Sequence, residues 1–174
     1  MSNVSAIAFI YTMPILAIVG YISLNSNLTT SPLATWGMFA ISFTLSIFCG
    51  IINYIFDNIP SNLLSLILSA LNEEFFKLAM LIGFFPLYKY SLDLKKTFFL
   101  GASCCLGFAA SENIGYILNS NEFNVQPGLL ALTRIVMPTP MHFITGGIIA
   151  IYCFQFFRNG KSVINIFIGL AIGT

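Results

Sequence analysis

Residues 63–88 read LLSLILSALNEEFFKLAMLIGFFPLY. The run is long enough to cross a ~30 Å hydrocarbon core, for which about 20 helical residues suffice. Glu73, Glu74 and Lys77 nevertheless sit in its middle. A charged side chain near the bilayer centre costs about 2.5–3.5 kcal/mol on insertion scales. Two further apolar runs carry the same burden, Glu112 within 97–118, and Arg134 with His142 within 128–157. These six groups together would cost on the order of 15 kcal/mol, as much as the ~5–15 kcal/mol net stability of an ordinary fold. They must face one another or a wet cavity, so Glu73, Glu74, Glu112 and His142 are expected to line one buried site.

Composition agrees with a membrane setting. Of 174 residues, 57% are hydrophobic and 7% charged, against roughly 25% charged in soluble domains. The chain reads as an integral membrane protein with the lipid bilayer as its surroundings. A net charge of +1 gives no reason to expect nucleic acid as a partner. Cys49, Cys104, Cys105 and Cys153 all fall inside apolar runs without C-x-x-C spacing, which suits small packed side chains. Met1-Ser-Asn-Val has no Lys or Arg, and no A-x-A site follows the first run, so that run reads as a retained span.

Apolar runs at 4–24, 34–56, 63–88, 97–118 and 128–157 predict five full spans. A sixth, 162–174, is partial, because its thirteen residues reach only ~20 Å as a helix. The expected fold is a single all-α domain over 1–174, a polytopic transmembrane helical bundle. Lys89, Lys95 and Lys96 follow the third span, and Arg158 and Lys161 follow the fifth. The loop between spans four and five has Glu122 and no Lys or Arg. Loops 89–96 and 158–161 are therefore expected to be cytoplasmic, with the N-terminus outside.

Two local patterns bear on the site. The fifth span contains Pro138 and Pro140, which cannot donate to the carbonyls of Arg134 and Val136. A broken helix at membrane depth requires protein or a wet cavity to satisfy the freed groups. Arg134 and His142 flank that break, although Arg134 lies only seven residues into the span and a snorkelling position is its plain alternative. In the fourth span Ser103, Gly107, Ser111 and Gly115 form a stripe of small residues that allows close helix approach. Glu112 and Tyr116 share the adjoining face, pointing Glu112 into the bundle.

Residue inventory narrows the chemistry. Asp57 and Asp93 fall in loops, against an aspartyl pair in the membrane; the single His rules out an H-E-x-x-H zinc site; Ser103 and Ser111 lack a G-x-S-G setting. A glutamate set with one histidine remains. Lys77 is four residues from Glu73 and three from Glu74, within reach of either. The two glutamates differ by about 100° around the helix and so have different roles. One can activate water while the other orients a neighbour. His142 can share the water, polarise a carbonyl, or bind a divalent metal ion such as zinc with Glu112 and Glu73.

Glu73-Glu74-Phe75-Phe76-Lys77 resembles the E-E-x-x-K motif of the PrsW family of intramembrane proteases. The stretch from Gly107-Phe108 through Glu112-Asn113 to Tyr116 resembles that family's G-F-x-x-x-E-N-x-x-Y motif. Arg134, followed by Met141-His142 and Gly146, is similar to its third motif. The resemblance covers roughly 63–155. It implies a multi-helix fold shared with type II CAAX prenyl endopeptidases and bacteriocin-processing proteins. It also implies hydrolysis of peptide bonds in membrane-anchored proteins, including anti-sigma factors, in a bacterial plasma membrane. Glu73, Glu74, Glu112 and His142 would be its catalytic set, supported by Lys77, Asn113, Tyr116 and Arg134. Such relatives are usually described as metalloproteases, and a metal-free glutamate mechanism has also been put forward. Where related families have F-x-x-x-H this chain has Phe108-x-x-x-Glu112. Relatives commonly place a further His, with Asn or Asp four residues on, in the next helix, near where this sequence reaches Gly173-Thr174. The alternative readings are a proton-coupled transporter or channel, since intramembrane Glu and His also make proton relays, and a non-catalytic membrane scaffold.

Overall fold

The computed structural model describes residues 2–88 and 93–159. The partial run 162–174, together with Lys89 and Lys161, lies outside the described residues. Among the described residues six α-helices follow one another: α1 Ser2–Leu24, α2 Pro32–Phe56, α3 Asn62–Tyr88, α4 Leu94–Leu118, α5 Pro127–Val136 and α6 Pro138–Asn159. A 3-10 turn, Ser120–Phe123, separates α4 from α5. No strand occurs among the described residues, and the all-α expectation holds for them.

Helix starts follow their caps. Ser31 precedes Pro32, and its hydroxyl accepts from the Ala34 N–H at 3.1 Å. Serine at the N-cap with proline in the first turn is a strong start signal, and it begins α2 two residues before the expected 34. Asp93 accepts from the Lys96 N–H at 2.8 Å, so α4 begins at Leu94 and takes in Lys95 and Lys96. The expected start at 97 was late because the lysines read as loop, whereas an aspartate cap lets them form the first turn.

The fifth span is two helices. Met137, with φ −110° and ψ −68°, ends α5, and Pro138 opens α6. Both prolines lie in the first turn of α6, where the N–H groups have no intrahelical acceptor. The chain therefore breaks cleanly at Met137 instead of bending through a strained helix.

Helix α4 is the centre of the bundle. Every residue from 100 to 110 is buried, with α6 and α2 packed most extensively against it and α1 alongside. Small residues make this possible. A Cβ on Gly107 would collide with the Phe39 carbonyl of α2, one on Gly101 with the Gly146 carbonyl and Ala150, and one on Gly146 with Cys105. Gly115 faces open space, so the stripe read from the sequence is a helix contact at Gly107 and a cavity wall further on. The four cysteines are all buried. Gly107→Val is expected to cost about 1–3 kcal/mol by overpacking, seen as a lower thermal midpoint in detergent. Gly115→Val should stay within about 0.5 kcal/mol.

Large apolar side chains cover the outer surface, among them Phe9, Phe48, Ile51, Leu66 and Leu71. Among the described residues, three segments are long and apolar enough to cross a membrane: Val4–Leu24, Pro32–Phe56 and Pro127–Arg158.

Candidate active site

On α3, Glu74 and Lys77 face inward one turn apart. Lys77 Nζ donates to Glu74 Oε1 at 2.6 Å, and its ammonium lies 5.3 Å from the Phe108 ring centre. A lysine ammonium carries three donors and no acceptor, and at 3% exposure it is desolvated enough for the pairing to matter. Spacing alone left Lys77 a choice of two glutamates; it takes Glu74. Glu73, rotated around the helix, meets α2 instead, where Asn53 Nδ2 donates to its Oε1 at 3.3 Å.

The second cluster is built around Arg134 in the last turn of α5. Its NH2 group donates to Glu112 Oε1 at 2.6 Å and its Nε to Asn113 Oδ1 at 2.6 Å. The guanidinium lies 3.9 Å over the Tyr116 ring. The planar fork of arginine suits two acceptors and a ring face at once. With a side chain only 13% exposed, Arg134 does not snorkel; it points into the bundle because α4 offers it a carboxylate, an amide and an aromatic face.

The break between α5 and α6 is part of the same network. Pro138 has no N–H for the Arg134 carbonyl, and the Thr139 hydroxyl donates to that oxygen at 2.9 Å. The same hydroxyl accepts from Asn113 Nδ2 at 2.9 Å. One side chain thus satisfies the freed carbonyl and ties the break to α4, as irregular backbone at membrane depth requires. One turn on, His142 Nε2 lies 3.0 Å from Glu112 Oε2. Buried Glu74 Oε2, by contrast, has no hydrogen-bond partner among the described residues.

Two adjoining cavities open onto these groups. The larger, about 570 Å³, runs from Asp57 and Glu122 at the helix ends, past Glu112 and Glu73, to the Phe108 ring. The smaller, about 250 Å³, lies between α3 and α6 and is lined by Glu73, Glu74, Lys77, Met141 and His142. The four expected site residues are thus divided between two cavities, Glu112 on the larger and Glu74 and His142 on the smaller. Glu73 lines both.

A metal centre held by Glu73, Glu112 and His142 is a different matter. A catalytic zinc site needs three protein ligands around one point. Among the described residues, no three His, Cys, Asp or Glu side chains come together in that way. Glu112 is drawn to Arg134, and Lys77 places a second cation beside Glu74. The described residues therefore do not fit a three-ligand metal.

Three polar residues of the site lie outside every recognisable motif. Asn53 sits in the last turns of an apolar run, Asn72 directly precedes the glutamate pair, and Thr139 lies between the two prolines. An amide in an otherwise apolar span, and a hydroxyl placed to replace a missing N–H, were the signals available.

A family model described as PrsW family intramembrane metalloprotease matches residues 29–174. No curated protein and no solved structure matches the chain. The matched stretch takes in α2 through α6, and so both cavities and every polar group that lines them. With its apolar helices and this buried glutamate–histidine site, the chain is an integral membrane protein that belongs to the PrsW family of intramembrane proteases.

Proposed function

We propose that the chain hydrolyses a peptide bond of a membrane-anchored protein, with water activated by Glu73, which lines both cavities. One observation supports this assignment above the others. Glu74 and Glu112 each pair with a cation at 2.6 Å, whereas Glu73 has no ion pair among the described residues. A carboxylate held by a neutral amide keeps its lone pairs available for a proton. Water would attack the carbonyl carbon while its proton passes to Glu73. That proton would then go to the departing amine nitrogen as the C–N bond breaks. His142 lines the smaller cavity beside Glu73, held by Glu112, and is placed to share the water or polarise the carbonyl. Lys77 and Arg134 neutralise their partners, while Asn113 and Tyr116 hold Arg134 in place.

No step here runs through a metal. Cleavage that survives exhaustive chelation supports the Glu73 assignment. Loss restored by zinc would move water activation to an ion ligated partly outside the described residues. The decisive assay uses purified protein in liposomes with a membrane-anchored test substrate, and mass spectrometry of the products. Two fragments meeting at one bond are expected; proton flux without cleavage would overturn the reading in favour of a transporter. Anti-sigma-factor-like proteins of a bacterial plasma membrane are the substrate class the family resemblance suggests.

In this reading α3 and α4 also cross the bilayer, making five full spans, with 162–174 as a partial sixth. Lys95, Lys96 and Arg158 would face the cytoplasm and the N-terminus the outside. The end of the larger cavity at Asp57 and Glu122 would then open outside, admitting water and the substrate's juxtamembrane segment. A cysteine at Asn121 is expected to label with an impermeant reagent in intact cells, and one at Lys95 only after permeabilisation. The reverse pattern would invert the bundle.

A further inference from the structure

Glu73 is met by an amide whose orientation is itself dictated by a second amide. Asn72 Nδ2 donates to Asn53 Oδ1 at 2.8 Å, and to the Cys49 carbonyl and Sγ at 3.2 Å each. With its oxygen engaged, Asn53 has only its NH2 group to turn toward Glu73, and Nδ2 donates to Oε1 at 3.3 Å. Turning the Asn53 amide over would set NH2 against NH2 at Asn72, and oxygen against carboxylate oxygen at Glu73. Both contacts would be repulsive in a partly buried setting. The pair therefore makes a one-way donor relay, Asn72 to Asn53 to Glu73, across the α2–α3 contact. Neither amide belongs to the three motifs quoted above.

We propose that Asn53 is a positioning residue for Glu73, locked as a donor by Asn72, so that Oε1 is held and Oε2 takes the proton from water. The inference rests on the assignment of Glu73 as the base. Its consequence is directional. A neutral donor fixes the carboxylate plane without neutralising it, unlike Lys77 at Glu74 or Arg134 at Glu112. A 3.3 Å contact is long, as such contacts often are before substrate is bound.

The test separates a donor from a mere tie between helices. Asn53→Asp has the same shape and still accepts from Asn72, preserving the α2–α3 link, but faces Glu73 with an acceptor. Asn53→Leu removes both functions at similar volume. Both variants, and each combined with Glu73→Gln, are assayed on the membrane-anchored test substrate, with thermal midpoints measured in the same detergent. Asn53→Asp is expected to lower kcat about 10- to 100-fold, the scale of one hydrogen bond to a charged group, with KM little changed. Asn53→Leu should lose at least as much kcat and also some thermal stability. On the Glu73→Gln background neither change should lower the residual rate further. Asn53→Asp cleaving at the wild-type kcat would overturn the proposal even if Asn53→Leu fails to fold. So would an undiminished further loss on the Glu73→Gln background, which would show that Asn53 acts elsewhere. Failure of the underlying reading looks different: wild type that does not cleave, or Glu73→Gln that cleaves normally.

Discussion

Glu73→Gln is expected to lower the rate of peptide cleavage about 10²–10⁴-fold, the usual worth of a positioned general base, with the protein still folded. The glutamine amide has the size of the carboxylate and can still accept from Asn53 Nδ2 through its oxygen. It has no basic oxygen to take a proton from water. No ion pair is broken, because Glu73 has none among the described residues, so the thermal midpoint should change little. Glu74→Gln should behave differently, since it strands Lys77, which is 3% exposed, without its partner carboxylate. Loss of stability alongside activity is its expected signature. His142→Ala should fall as far as Glu73→Gln if the two groups act on one water, and the double variant should be hardly worse than either. Normal cleavage by folded Glu73→Gln would remove the base from the mechanism. Intact cleavage by Glu73→Gln together with its abolition in a folded Glu74→Gln would exchange their roles.

The second large effect concerns the fold. Arg134→Leu is expected to destabilise the protein by about 3–5 kcal/mol, as when one partner of a buried ion pair is removed. Glu112 loses its guanidinium partner with a side chain only 18% exposed, Asn113 Oδ1 loses its donor, and the Tyr116 ring loses the guanidinium above it. Arg134→Lys should recover only part of the loss, because an ammonium is a point charge and cannot present two donors and a flat face together. Adding Glu112→Gln to Arg134→Leu should restore stability relative to the single variant, since the stranded charge is then gone. Thermal or denaturant unfolding in detergent reads all four proteins. A double variant less stable than Arg134→Leu would show that the pair is not the source of the effect.

Much of this arrangement is legible in the sequence, for reasons that differ residue by residue. The apolar runs announce helices because each must satisfy its own backbone in lipid. Charges within them announce a site because their isolation is costly. Pro138 and Pro140 mark the break. Partner choice is less legible. Lys77 is within one turn of both Glu73 and Glu74, and only the packing of α3 against α2 and α4 decides between them. Arg134 looks interfacial by position; its inward turn depends on the register between α4 and α5, which no local pattern encodes. The Asn53–Asn72 relay and the Thr139 hydroxyl are cross-helix events of the same kind. The Glu112–His142 contact is again a matter of register.

The Glu112–Arg134 pair also has a place in time. Its members are 22 residues apart, and a ribosome adding about 5–20 residues per second reaches Arg134 roughly 1–4 s after Glu112. Lys77 has been made by then but belongs to Glu74. For that interval the central helix of the bundle holds a carboxylate whose counterion has not yet been synthesised, and Thr139 and His142 come later still. The polar end of α4 can reach its final state only after the chain through the first turn of α6 has emerged.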